Sequence, residues 1–186
     1  MNYPDIVSLR LRYQFCPMCQ AELAWVVTSD DGLYRAKCPQ CSWIHYPTNA
    51  VGVNVIVTTA TGIVAIFPPD APEDAPAALP GGHVEYAEAP EDAARREEYE
   101  ETGLQVEVDR CLGWYFSKRT DYPGPMLSFM FETHAIGGQL IGSSEGRTGV
   151  YPIEHFPVIS PSRTGSVRTL QAYLSFLSGL NVDGRP

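Results

Sequence analysis

Between positions 82 and 104 the chain reads GHVEYAEAPEDAARREEYEETGL, a stretch dense in carboxylates. Ala89-Pro90-Glu91 has the composition of a helix start, with proline in the first turn and acids that complement the helix dipole. Gly103 is a natural stop. Inside the predicted helix Glu97 and Glu101 are four residues apart and Glu100 is three from Glu97, so all three leave from one face. Like charges at that spacing weaken an isolated helix by roughly a few tenths of a kcal/mol per pair. Hard divalent cations, bound through carboxylate oxygens, give such a cluster a purpose.

A second set of chemically capable residues lies upstream. Cys16-Pro-Met-Cys19 and Cys38-Pro-Gln-Cys41 are two C-x2-C knuckles with eighteen residues between them. This is the spacing of a four-thiolate zinc site, each knuckle offering two sulfurs to a tetrahedron. Two disulfides are the alternative, disfavoured in a reducing compartment. Between the knuckles, residues 24–28 and 33–36 read as strands around the turn signal Asp30-Asp31-Gly32, which makes a ribbon. Arg10, Arg12, Arg35 and Lys37 against Glu22, Asp30 and Asp31 are too balanced for a nucleic-acid patch. A structural Zn²⁺ that folds a segment too small for its own core is the expected role, with Trp25 and Trp43 as its apolar filling. Cys111 is expected as a buried small apolar residue.

The segment from Gly82 to Leu104 resembles the box of the Nudix hydrolases, G-x5-E-x7-R-E-U-x-E-E-x-G-U, where U is apolar. Gly82, Glu88, Arg96, Glu97, Glu100, Glu101, Gly103 and Leu104 stand on its fixed positions. Glu98 departs from it, occupying a place where the family puts an aliphatic residue that packs the helix on the sheet. A carboxylate left unpaired there costs several kcal/mol by order of magnitude. The order of ribbon then box, joined through Trp43-Ile-His-Tyr-Pro47, is similar to the branch holding the NADH pyrophosphatases. That branch carries a Ser-Gln-Pro-Trp-Pro-Phe-Pro-like motif after the box; this chain has residues 114–123, WYFSKRTDYP, instead.

The resemblance implies an α+β fold, an α/β/α sandwich around a mixed sheet, preceded by a small zinc-ribbon hairpin domain. It implies hydrolysis of a nucleoside diphosphate derivative of the ADP-ribose, FAD or NADH type with Mg²⁺ or Mn²⁺. Glu97, Glu101, Glu100 and the Gly82 carbonyl would hold the metal, and Arg96 would orient a box carboxylate. Glu88 would fix the loop or the metals. The general base is either a box glutamate or Glu145, which stands where the ribbon-bearing relatives place a further metal-binding glutamate. Lys118, Arg119 and Arg147 are candidates to grip phosphate or ribose, with ordinary surface charge as the alternative. Neither His45 nor His83 stands out. A nucleoside triphosphate pyrophosphatase, a non-catalytic nucleotide sensor and removal of nucleotide caps from RNA remain alternatives.

Two domains are expected, residues 1–46 and 47–186. In the second, strands are expected over 51–58 and 63–67, a proline-rich loop over 68–80, and further strands over 105–109, 112–116 and 126–135. Gly137-Gly138 reads as a turn and 142–149 as a loop. The run from 164 to 180 carries Val167, Leu170, Tyr173, Leu174 and Leu177 at helical spacing. The formal charge of −9 argues against a sequence-independent nucleic-acid partner, and no stretch approaches a membrane span. The start, Met1-Asn-Tyr-Pro-Asp5, lacks a secretory pattern, so a cytoplasmic location is expected. A homodimer is compatible with the resemblance.

Overall fold

The computed structural model describes residues 13–28, 32–72, 75–118, 124–144 and 146–179. The chain divides into two compact units, with the break between Thr48 and Asn49. In the first, β1 (Ala24–Val27) and β2 (Tyr34–Lys37) pair antiparallel, Trp25 opposite Ala36. Cys16, Leu23, Ala36 and Cys38 form its small core, with Trp25 and Trp43 packed against it.

The second unit is built on a five-stranded mixed sheet. Its strands are β3 (Ala50–Thr59), β4 (Gly62–Phe67), β5 (Leu104–Ser117), β6 (Met126–Gly138) and β7 (Arg147–Tyr151), in the order β5-β6-β3-β4-β7. Only β3 and β6 run parallel; the other pairs are antiparallel. Helix α1 (Pro90–Thr102) and helix α2 (Thr164–Leu177) cover opposite faces. Alternation along β3 decides this: Val53, Val55 and Val57 pack with Ala93 and Ala94 of α1, while Ile56 packs with Tyr173 of α2. The architecture is therefore α+β with a mixed sheet flanked by helices. Among the described residues no helix is long and apolar enough to cross a membrane.

Four local readings change. Gly137-Gly138, expected as a turn, ends β6 and pairs with Gln105 and Leu104 of β5. The two strands expected over 105–116 are one strand, β5, whose register shifts at three irregularities absorb the polar Asp109-Arg110 interruption. Cys111 is exposed, because β5 is the edge strand and this residue sits at one of those shifts with Sγ donating to the Gly113 carbonyl. The loop expected over 142–149 yields β7 from Arg147 onward, held by pairing with β4.

The first half of β3 has an unusual neighbour. It pairs with β4 through Thr58 and Thr59, and the segment 77–84 fills the space beside the rest. Val55 N–H donates to the Pro80 carbonyl, Val53 N–H to Gly82, and Val84 N–H to Val51, while Ala78 exchanges two bonds with Ile66 of β4. Gly81 makes this approach feasible: its φ is 148°, and a side chain there would overlap the Val53 carbonyl.

Candidate active site and ribbon metal centre

Helix α1 begins at Pro90 with Ala89 as N-cap and Glu91 and Asp92 in its first turn. It ends in Gly103, left-handed at φ 75°, whose N–H returns to the Tyr99 carbonyl. The face turned to the sheet is Ala93, Ala94, Glu98 and Thr102, so Glu97, Glu100 and Glu101 emerge at its margin, towards the inserted segment.

Arg96 organises the acids. Its Nε and one terminal nitrogen fork onto the two Glu88 oxygens, both at 2.9 Å, and the same terminal nitrogen reaches the His83 carbonyl at 2.9 Å. The other terminal nitrogen donates to Glu97 at 2.8 Å and to Glu100 at 3.1 Å. With Arg96 first and the Glu85 N–H second, the Glu88 carboxyl is pulled down to about 2. Glu101 accepts the Gly81 N–H at 2.9 Å. Glu97 lies against Gly82 so closely that any side chain at Gly82 would overlap its carboxylate. A glycine in the box is thus what lets a carboxylate and a backbone carbonyl share one corner.

Together these groups form one wall of a cleft of about 570 Å³, to which Gly81, Gly82, His83, Glu85, Arg96, Glu97 and Glu100 contribute. The rest of its lining comes from strands β3, β5 and β6 and from the start of α2. The donor set on the first wall, carboxylates and a carbonyl, is all hard oxygen and fits Mg²⁺ or Mn²⁺. Behind it, Glu98 is fully buried with neither oxygen hydrogen-bonded. Burial first, then the Glu101 and Glu97 charges, raise its carboxyl well above the ordinary range.

In the ribbon, the Sγ atoms of Cys16, Cys19, Cys38 and Cys41 all lie within 4.8 Å of one another. The contacts Cys16–Cys41, Cys19–Cys38 and Cys19–Cys41 are 3.6, 3.4 and 3.7 Å. Zn–S bonds of about 2.3 Å require tetrahedral edges of roughly 3.8 Å, so the thiols already outline a zinc site. They are free cysteines, which sets aside the disulfide alternative in this state. The Cys41 N–H, then that of Gln40, lowers the Cys38 thiol to about 6 and favours its thiolate. His45 stacks on Tyr13 at 3.8 Å and on Trp43 at 5.8 Å, and burial lowers its pKa.

The NUDIX domain pattern matches residues 48–160, more than half the chain. The chain belongs to the Nudix family. A zinc-ribbon pattern described as Nudix N-terminal matches residues 14–47, the segment holding the four thiols. Nudix membership implies hydrolysis of a nucleotide pyrophosphate bond. An ADP-ribose pyrophosphatase of Methanocaldococcus jannaschii is 38% identical over 98 residues, 53% of this chain and 58% of that protein. A NAD-capped RNA hydrolase NudC of Deinococcus radiodurans is 28% identical over 181 residues, 93% of this chain and 61% of that protein. The chain thus spans about six-tenths of the length of these curated relatives. Among solved structures, a NUDIX hydrolase from Nitrosomonas europaea superposes with a TM-score of 0.70 at 20% identity, covering 89% of this chain and 93% of that one. That likeness speaks for the fold.

Of the Nudix positions read from sequence, Gly82, Arg96, Glu97 and Glu100 line the cleft, and Glu88 and Glu101 stand behind them in its wall. Lys118 follows Ser117, which lines the cleft, but does not line it itself. Arg147 is committed elsewhere: its guanidinium lies 4.2 Å from the centre of the Phe67 ring and donates to the Pro72 carbonyl at 3.0 Å. Arg119 and Glu145 lie outside the described residues, as do Arg10, Arg12, Asp30 and Asp31. Sequence reasoning missed Asn54, Tyr115, Ser128 and the start of α2. The only local signal was Ser162-Arg163-Thr164-Gly165 ahead of an amphipathic run.

Proposed function

We propose that this chain is a Mg²⁺- or Mn²⁺-dependent pyrophosphatase acting on a nucleoside diphosphate derivative of the ADP-ribose, FAD or NADH type. The observation that carries the reading is the Arg96 fork. One cation holds Glu88, Glu97 and Glu100 in place beside the Gly82 carbonyl, at the edge of a cleft large enough for a small ligand. The likeness to an ADP-ribose pyrophosphatase supports the substrate class. Glu97, Glu100, Glu101 and the Gly82 carbonyl would hold the metal, which when bound neutralises the bridging phosphates and acidifies a water. The chain's own part is positioning: Arg96 and the Gly81 N–H fix the carboxylates before substrate arrives. A water oxygen bonds to one phosphorus, the bridging P–O bond breaks, and two monophosphates leave. The water's proton passes to a box carboxylate or to Glu145. The zinc of the ribbon is structural.

A second reading, hydrolysis of NAD-capped RNA, is favoured by the match to the Deinococcus protein over 93% of this chain and 61% of that protein. The charge of −9 gives it no basic footprint, so the nucleotide derivative ranks first. The experiment is a panel of ADP-ribose, FAD, NADH, a nucleoside triphosphate and NAD-capped RNA, each with Mg²⁺ and Mn²⁺ and with products identified. AMP plus a second monophosphate is expected. Inorganic pyrophosphate as product would move the assignment to triphosphates. Glu101→Gln is expected to lower kcat at least about 100-fold with an unchanged melting curve. Unaltered turnover would remove the site.

A further inference from the structure

The rest of the cleft lining holds groups that the hydrolytic machinery does not use. Helix α2 points its first turn into the cleft, with Arg163 as N-cap and Thr164, Gly165 and Ser166 lining it. That turn carries neither a side-chain cap nor an acidic residue, so its leading N–H groups and the positive end of its dipole are left for a ligand. Arg163 is exposed, and its guanidinium has no ion-pair partner among the described residues. Ser166 Oγ accepts the Leu79 N–H at 3.0 Å, tying this turn to the segment that carries Gly81 and Gly82.

An independent sign comes from β6. Ser128 is 1% exposed, lines the same cleft, and its Oγ has no hydrogen-bond partner among the described residues. It lies opposite Gly52 in the β3–β6 register, where the missing side chain of Gly52 leaves the enclosed hydroxyl without a partner from that position. A Cβ at Gly52 would stand 3.6 Å from Ser128 Oγ and 3.0 Å from the Gly82 carbonyl. Asn54, two residues along β3 on the same face, bonds through Nδ2 to Tyr115 at 3.3 Å and bounds Gly165 closely. Buried hydroxyls in proteins are almost always partnered, so an orphan in a cleft wall marks a ligand contact.

We propose that Ser128, Asn54 and the first turn of α2 with Arg163 form an anion subsite that takes the phosphate of the sugar-phosphate half of the substrate, next to the Gly82 end of the cleft. This rests on the pyrophosphatase reading and adds to it which half of the diphosphate goes where. The lining favours a phosphorylated sugar over a second nucleobase: Tyr115, its one phenol or indole ring among the described residues, lies beneath Arg168 at 5.2 Å with its hydroxyl bonded to Asn54. Glu85, Glu97 and Glu100 repel an anion from the carboxylate wall, so without metal it is directed to the α2 end.

The test is calorimetric binding of ribose 5-phosphate, ribose and inorganic phosphate to the full chain, zinc retained and no other divalent ion added. Ribose 5-phosphate and phosphate are expected to bind and ribose not, with affinity falling as salt rises. Arg163→Ala is expected to weaken binding about tenfold and Ser128→Ala about fivefold, while Glu101→Gln leaves it intact. Ser128→Ala is also expected to hold or raise Tm, since it removes an unpaired buried hydroxyl; a purely structural serine would lower it. Absence of phosphate binding by the parent chain, or equal affinity in the Ser128 and Arg163 variants, would overturn the subsite. Either result would leave the turnover assay of Glu101→Gln standing on its own.

Discussion

Glu98 offers a measurement in which burial, charge and pH act together. Its side chain is fully enclosed, with two oxygens that find no hydrogen-bond partner. Each unpaired buried polar group costs about 1–3 kcal/mol, whereas leucine in that place supplies the apolar contact the helix face expects. We therefore expect Glu98→Leu to stabilise the fold by about 2 kcal/mol, or about 4–8 °C in Tm for a chain of this size. The pH dependence gives a second handle. Folding raises the carboxyl above its ordinary 4.5, so the folded protein holds a proton that the unfolded chain releases. The penalty is absent below the ordinary value and grows as pH rises towards the folded one. Glu98→Gln keeps the unpaired polarity but cannot ionise. Urea unfolding of the three proteins at pH 5 and pH 8, without added divalent ions, separates the contributions. The parent chain is expected to lose stability over that interval relative to both variants. A lower Tm for Glu98→Leu, or parallel pH curves for parent and Glu98→Gln, would refute the reasoning.

Gly82→Ala places a methyl group on the Glu97 carboxylate; turnover is expected to fall at least about tenfold and metal affinity to weaken, read by Mn²⁺ titration, with the fold kept in circular dichroism. Arg96→Lys removes the fork and cannot serve Glu88, Glu97 and Glu100 together, so kcat is expected to fall about tenfold or more in a steady-state assay. Glu88, held at about 2, contributes stability that is complete above its ordinary value and is lost as pH falls towards 2; Glu88→Gln is expected to flatten the acid limb of a stability curve between pH 4.5 and 2. Elemental analysis is expected to give one zinc per chain and none after Cys38→Ser, which deletes one of four thiols.

What the sequence disclosed was local in origin. Pro90, the acids after it and Gly103 bound α1 through their own backbone preferences, and observed helix and expectation agree within a residue. The departure at Glu98 was visible only against the Nudix box, which puts an aliphatic residue there, and the structure places it on the buried stripe of Ala94 and Thr102. Non-local pairing hid the rest. Residues 147–151 contain a glycine and little alternation, so their strand character comes from β4 rather than from themselves. Cys111 has an apolar look, but whether β5 lies at an edge depends on sheet order. Ser128 and Asn54 reach the cleft only because β3 and β6 run side by side in parallel, and Arg147 turned out to serve the Phe67 ring.

The segment 77–84 explains why one cleft can have two chemically distinct walls in fixed register. Its carbonyls at Pro80 and Gly82 accept from β3, and Ala78 is bonded both ways to β4, so the backbone is locked into the sheet. Two of its N–H groups reach the two helices: Gly81 to Glu101 of α1, Leu79 to Ser166 of α2. A shift of this segment would therefore move the carboxylate wall and the α2 wall together. Main-chain atoms set the spacing, and Gly81 and Gly82 are fixed by it: each lacks a Cβ that would strike, respectively, the Val53 carbonyl and the Glu97 carboxylate. The prolines at 68, 69, 72, 76 and 80 restrict the same backbone from the upstream side and limit its freedom before folding. Preorganisation of the site is thus a property of an inserted loop as much as of the acidic helix, and substitutions in residues 68–80 should act on both walls at once.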